Sequence, residues 1–126
     1  MKKVIQTEGA PQPIGPYSQA VQMSNFIFCS GQIPLDPKTN QMITGDITAQ
    51  TEMVMKNIAA VLTEAACDFN QVVKTTIFLT SMKDFPMVNE VYGRYFKESP
   101  PARSTVEVSS LPKGANVEIE VVAFKY

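Results

Sequence analysis

Hydrophobic positions recur with two periods along this chain, and the switches between them mark its elements. Over residues 72–80, Val73, Thr75, Ile77 and Leu79 alternate with Lys74, Thr76, Phe78 and Thr80. Both sets carry β-branched or aromatic side chains, which predicts an interior strand. Gln50, Val54, Ile58, Val61, Leu62 and Ala65 instead recur at helical spacing, predicting a helix over roughly 48–66 with one apolar face. Asp46 or Thr48 is suited to cap it, and Cys67-Asp68-Phe69-Asn70 closes it. Phe85, Val88, Val91, Tyr92, Tyr95 and Phe96 form a second helical face, with Asp84 expected as its cap and Pro86 in its first turn. Pro100-Pro101 ends anything helical.

The remaining elements are shorter. Val4-Ile5 suggests a first strand. Tyr17–Val21 and Phe26–Cys29 read as a hairpin around Ser24-Asn25. Gly9 to Pro16 holds too much Gly and Pro for a helix or a central strand, and reads as an ordered loop. Residues 35–46 read as a polar surface loop. Two further strands are expected at about 103–108 and 117–125. The order is β-β-β-α-β-α-β-β with no internal repeat, which predicts one α+β domain over 1–126, two helices on one face of a mixed sheet. The other face retains apolar side chains, so burial against further copies of the chain is expected.

Composition narrows the chemistry. The 126 residues are 44% apolar and 18% charged, with a net charge of −1. No run of basic residues exceeds Lys2-Lys3, which makes nucleic acid an improbable main partner. No apolar run approaches a membrane span, and Met1-Lys2-Lys3-Val4-Ile5-Gln6 turns polar too soon for a signal peptide, so a cytoplasmic location is expected. Cys29 and Cys67 read as two reduced thiols. The chain contains no histidine. That excludes Ser-His-Asp and Cys-His machinery and removes the commonest metal ligand. Acid–base work is left to Glu, Asp, Tyr, Lys or water.

Against that background Arg103 stands out. Pro100-Pro101 fixes the approach to its strand, and Ala102 and Ser104 flank it with small side chains. A planar fork of donors at a strand end suits bidentate binding of a small carboxylate, although pairing with a nearby glutamate is the plainer alternative. Glu118 and Glu120 share one side of their strand with Val122 and Phe124. A carboxyl in such surroundings is fit to act as a general base toward water, and a solvent-facing sheet rim is the alternative. If the two last strands are neighbours, Arg103 and one glutamate can reach the same cavity; the register is not given by sequence. Tyr17, Ser30-Gly31 and Asn89 are weaker candidates at a loop-to-strand junction, a strand end and a helix start.

These residues fall in a recognisable series. Ala102-Arg103-Ser104-Thr105-Val106-Glu107-Val108, then Leu111-Pro112-Lys113 and Val117-Glu118-Ile119-Glu120, form its most specific part. Ile14-Gly15-Pro16-Tyr17-Ser18-Gln19-Ala20, Ser30-Gly31-Gln32-Ile33-Pro34, Val73–Phe78 and Val88-Asn89 support it. The chain resembles, nearly end to end, the Rid family of reactive-intermediate deaminases, also called the YjgF or endoribonuclease L-PSP family. The resemblance implies a chorismate-mutase-like homotrimer with pockets between subunits. It implies hydrolysis of 2-imino acids or their enamine tautomers, such as 2-iminobutanoate and 2-iminopropanoate, to 2-keto acids and ammonia, with no metal or cofactor. It places Arg103 as the carboxylate clamp and Glu118 as the group that positions or activates water. Tyr17, Ser30, Gly31 and Asn89 then line the pocket. Many members carry cysteine two residues after the arginine; here Thr105 takes that place. Two other function classes stay open: a metabolite-binding regulatory module, and an RNA-cleaving inhibitor of translation, which the acidic composition disfavours.

Overall fold

The periodic segments become the elements that position everything else. The structure, a computed structural model, describes all residues from Met1 to Tyr126. In chain order the elements are β1 (Lys3–Ile5), β2 (Ala20–Met23), β3 (Phe26–Gln32), β4 (Leu35–Asp36), β5 (Gln41–Met42), α1 (Ile47–Glu64), β6 (Val72–Leu79), α2 (Phe85–Gly93), β7 (Ala102–Glu107) and β8 (Val117–Phe124). Six strands form one mixed sheet in the order β1-β2-β3-β8-β6-β7. Only the β6–β7 pair is parallel. Parallel pairing needs a crossover, and α2 supplies it between those two strands.

Helix α1 begins where an aspartate satisfies its free amides. Asp46 is extended, and its carboxylate accepts a hydrogen bond from the Thr48 amide (3.0 Å), so Asp46 rather than Thr48 is the cap. Asp84 does not act in the expected way. It precedes α2 but makes no side-chain capping bond. A 3₁₀ turn over Met82–Asp84 runs straight into the helix, so Asp84 already has helical dihedrals. The capping role moves back to Ser81, whose hydroxyl accepts from the Lys83 amide at 3.3 Å.

Both helices lie on one face of the sheet. Val54, Met55, Ile58, Val61 and Leu62 of α1 and Val88 and Val91 of α2 pack against Ile27, Ile77, Val117 and Ile119. Truncating a fully buried side chain such as Ile58 to alanine costs about 2–5 kcal/mol. The two cysteines are free and belong to this core. Burial, reinforced by Cys67, pushes the Cys29 thiol up to about 12.

The opposite face has no helix. Phe26, Phe28, Val122 and Phe124 lie there together, because Phe26 faces Phe124 and Phe28 faces Val122 in the register. Phe26 and Phe28 remain 42% and 46% exposed, so apolar side chains are left uncovered on this side, as the pattern predicted.

Three features depart from the expected layout. Tyr17 to Gln19 precede β2 rather than forming its start, because Gly15 (φ +118°) turns the chain and its carbonyl accepts the Tyr17 amide at 3.0 Å. The loop after β3 carries a two-residue ribbon, β4 with β5. Most consequentially, β7 and β8 are not neighbours. Strand β6 lies between them and pairs with both. The Val108 amide donates to Leu79 O (2.8 Å) and the Thr80 amide to Asn116 O (3.2 Å), so the β7–β8 connection straddles the end of β6. No helix is long and apolar enough to cross a membrane.

Candidate active site

The candidate residues fall into two groups, each assembled by a different device. The first begins with the proline-rich loop. Gln19 is 1% exposed, and its amide nitrogen donates to the carbonyls of Thr7 (3.0 Å), Ala10 (3.2 Å) and Pro11 (2.8 Å). Its amide oxygen accepts from the Thr7 amide at 2.7 Å. One buried side chain thus satisfies four backbone groups and fixes the loop over the end of the sheet. Tyr17, carried by this loop, stays exposed and lines the cleft beneath it.

The floor of that cleft is a β-bulge. Cys29 faces Val121 and Gln32 faces Ile119, so Ser30 and Gly31 together oppose the single residue Glu120. A bulge re-aims side chains, and here it opens the strand end. The Ser30 hydroxyl donates to Ser18 O (2.6 Å), tying the bulge to the loop. Gly31 lies directly against Glu118. A Cβ at position 31 would overlap Glu118 Oε2 and come within 2.8 Å of its Cδ. Glycine is therefore required for the carboxylate to lie across the bulge.

Tyr17, Ser30, Gly31 and Glu118 line one cleft of about 400 Å³ together with Lys113. The Glu118 carboxyl is raised above the usual carboxylate range, first by burial and then by the neighbouring Glu120 carboxylate. A carboxylate so placed is a stronger base than one in free solvent.

The second group surrounds Arg103. Its neighbour in the register is Thr75, which is buried beneath α2. The guanidinium lies over two rings of α2, 5.2 Å from the Phe85 centroid and 5.1 Å from the Tyr92 centroid. Its Nη1 donates to Asn89 Oδ1 at 2.7 Å. Both ion pairs of the structure belong to Arg94, so Arg103 has no carboxylate partner. The glutamate pairing open to it in sequence is not formed. Thr105, two residues on, shares this face, and its Oγ1 is buried without a hydrogen-bond partner.

The sequence candidates are thus all accounted for, but they do not meet. Arg103 sits opposite Thr75 and Glu118 opposite Phe78. Two strand spacings and three residues separate them, about 14 Å between Cα atoms by standard sheet dimensions. They also point to opposite faces. Glu118 alternates with the core residues Val117 and Ile119, whereas Arg103 lies against α2.

Sequence reasoning did not single out Gln19 or Lys113, nor the two rings beside Arg103. A signal for the rings was present. Phe85, Asn89 and Tyr92 stand at i, i+4 and i+7, the spacing of one helix stripe. The core-face reading of Phe85 and Tyr92 holds, since Tyr92 belongs to the core and Phe85 packs against it, and the same stripe also brings both rings and Asn89 to Arg103.

The comparisons with known proteins agree with this fold. The family model described as Endoribonuclease L-PSP matches residues 7–125. A RutC family protein of Pyrococcus horikoshii is 55% identical over 125 residues, 99% of each chain. The mouse protein named 2-iminobutanoate/2-iminopropanoate deaminase is 49% identical over 123 residues, covering 98% of this chain and 91% of its own. The crystal structure of a Rid family protein from Yersinia pestis, 52% identical, superimposes with a TM-score of 0.96 and covers 98% of this chain and 99% of its own. By sequence across nearly its whole length, and by fold, the chain belongs to the Rid family, the family of the endoribonuclease L-PSP model.

Proposed function

We propose that this protein hydrolyses small 2-imino acids, such as 2-iminobutanoate and 2-iminopropanoate, to 2-keto acids and ammonia. The observation that carries this reading is Arg103: a guanidinium held by Asn89 and two rings, with no carboxylate of its own. An unpaired, oriented arginine is a ready site for a substrate carboxylate. The mouse relative's name supplies the substrate class.

In this reading the working site forms between two copies of the chain, within a homotrimer. One copy contributes Arg103, Asn89 and Thr105. The other contributes Tyr17, Ser30, Gly31 and Glu118. Two facts support it: the two groups point away from each other within one chain, and the helix-free sheet face leaves Phe26 and Phe28 uncovered. Burying such a face between copies is the ordinary route to a symmetric oligomer.

The chemistry then follows from the groups available. Arg103 holds the carboxylate and so fixes C2 of the protonated imine near one water. The water oxygen bonds to C2, its proton passes to the Glu118 carboxylate, and the C=N π pair moves to nitrogen. The resulting carbinolamine has a neutral amino group. Protonated Glu118, or the Tyr17 phenol, returns a proton to that nitrogen. The C–N bond breaks, ammonia leaves, and the remaining hydroxyl proton is released as C=O forms. A raised Glu118 carboxyl suits both halves, because it takes and gives a proton closer to neutral pH.

The test generates 2-iminobutanoate in situ from threonine with a dehydratase and follows 2-oxobutanoate and ammonia. The parent chain is expected to accelerate their release beyond the spontaneous rate. Arg103→Ala should abolish the acceleration, and Glu118→Gln should lower the rate while 2-oxobutanoate still binds. Release by Arg103→Ala as fast as by the parent rules out the clamp.

A further inference from the structure

Arg103 has an environment that its charge alone does not require. Its strand is the outer edge of the sheet, and its own side chain is exposed. An exposed arginine on an edge strand ordinarily samples many rotamers, and ordering it costs about 2 kcal/mol of side-chain entropy. Here three contacts from one helix stripe converge on it: the Phe85 ring, the Asn89 amide oxygen and the Tyr92 ring. Tyr92 is itself fixed. It is 5% exposed, and its hydroxyl shares a 2.7 Å hydrogen bond with Thr75 Oγ1, in the strand beside Arg103.

We propose that Phe85 and Tyr92 are positioning residues, a two-ring clamp that holds the Arg103 guanidinium in its ligand-binding orientation, with Thr75 setting the angle of the Tyr92 ring. The clamp rests on the carboxylate role proposed above for Arg103. Asn89 engages one nitrogen of the fork, and the rings restrain the plane, so the remaining N–H groups are aimed before a carboxylate arrives. The ordering cost is then met during folding rather than on binding, which raises affinity without any new contact to the ligand. The clamp also selects the residue type. A guanidinium stacks on aromatic faces as a plane, whereas an ammonium is a strongly hydrated point charge on a flexible stem. Lysine at position 103 keeps the charge and loses the orientation.

The test uses the full-length protein and two readouts. The first needs no ligand. The Arg103 Nε–H resonance, assigned by its loss in Arg103→Lys, should carry an upfield ring-current shift and a rigid heteronuclear NOE. Phe85→Leu, which keeps an apolar side chain at a half-buried position, should move the resonance downfield and lower the NOE. Tyr92→Phe and Thr75→Val each delete the hydroxyl bond that fixes the ring while leaving a ring in place, so both should alter the ring-current shift in the same direction. The second readout is 2-oxobutanoate affinity. Phe85→Leu should weaken it about two- to fivefold, the expectation for one exposed cation–π contact, and should raise KM with little change in kcat. Arg103→Lys should bind no better than Arg103→Ala. If Phe85→Leu leaves both the resonance and the NOE unchanged, the clamp does not exist, whatever the ligand. If the parent binds no keto acid and Arg103→Ala changes nothing, the carboxylate role falls, and the resonance still decides the clamp.

Discussion

Arg103 and Glu118 project from opposite faces of one sheet, with β6 between their strands. No rotamer change brings them to one small molecule within a single chain. A reaction that needs both must take them from different copies, and this is directly measurable. Assembled alone, Arg103→Ala should be inactive and Glu118→Gln strongly slowed. Denatured together in equal amounts and refolded, they should recover about one quarter of parent activity, since in a cyclic oligomer that share of interfaces joins two intact halves. A mixture that stays inactive while assembling normally would place both residues of a site in one chain.

Gly31 should be intolerant of any side chain. Its absent Cβ is where Glu118 Oε2 lies. Because the obstructing group is the end of a side chain, Gly31→Ala should fold and displace the carboxylate instead of breaking the strand. Displacing a reacting group by about 1 Å costs on the order of a hundredfold in rate. Gly31→Ala is therefore expected to lose most of kcat while Tm falls only slightly.

Glu118 makes stability depend on pH in a direction opposite to that of a salt-bridged carboxylate. Burial and Glu120 raise its folded-state value above the unfolded one. The native state therefore binds the proton more readily, and the stability contributed by Glu118 falls as pH rises from the ordinary carboxylate range through the raised value. Glu118→Gln removes that loss. The variant should match the parent in urea unfolding near pH 4 and exceed it near pH 8. Equal stability at both values would mean that the carboxylate is well solvated.

Gln19 should matter to the fold of the cleft more than to its chemistry. Gln19→Leu keeps the bulk and leaves the Thr7 amide and the Pro11 carbonyl without their partner, while the Thr7 and Ala10 carbonyls keep the Gln12 amide. Each buried unsatisfied group costs about 1–3 kcal/mol, less where water can enter, so a loss on the order of 3 kcal/mol is expected in urea unfolding. Tyr17 travels with the loop, so KM should rise with it. Unchanged stability would mean that the loop holds itself.

Much of this molecule was legible along the chain because its signals are local. The alternation over 72–80 required an interior strand, and β6 is paired on both sides. The helical spacing of Val54, Ile58, Val61 and Leu62 required a buried stripe, and all four are 0% exposed. The lack of histidine leaves acid–base work to groups such as carboxylates, and the Ala102–Val108 and Val117–Glu120 blocks, through the family resemblance, point to Arg103 and Glu118. Local signals also had limits. Asp84 has a capping residue type, but the turn before it removed the need.

Tertiary structure alone decided the order of the strands and therefore the faces. A period of two assigns Glu118 and Arg103 to sides of their own strands, and says nothing about which side of β8 matches which side of β7. That relation depends on β6 inserting between them and on α2 carrying the chain across to a parallel partner. The same long-range placement laid Phe85, Asn89 and Tyr92 over Arg103, and put the Ser30-Gly31 bulge under Glu118. The chemical groups are written in the sequence; which of them meet is set by hydrogen bonds between strands far apart in the chain.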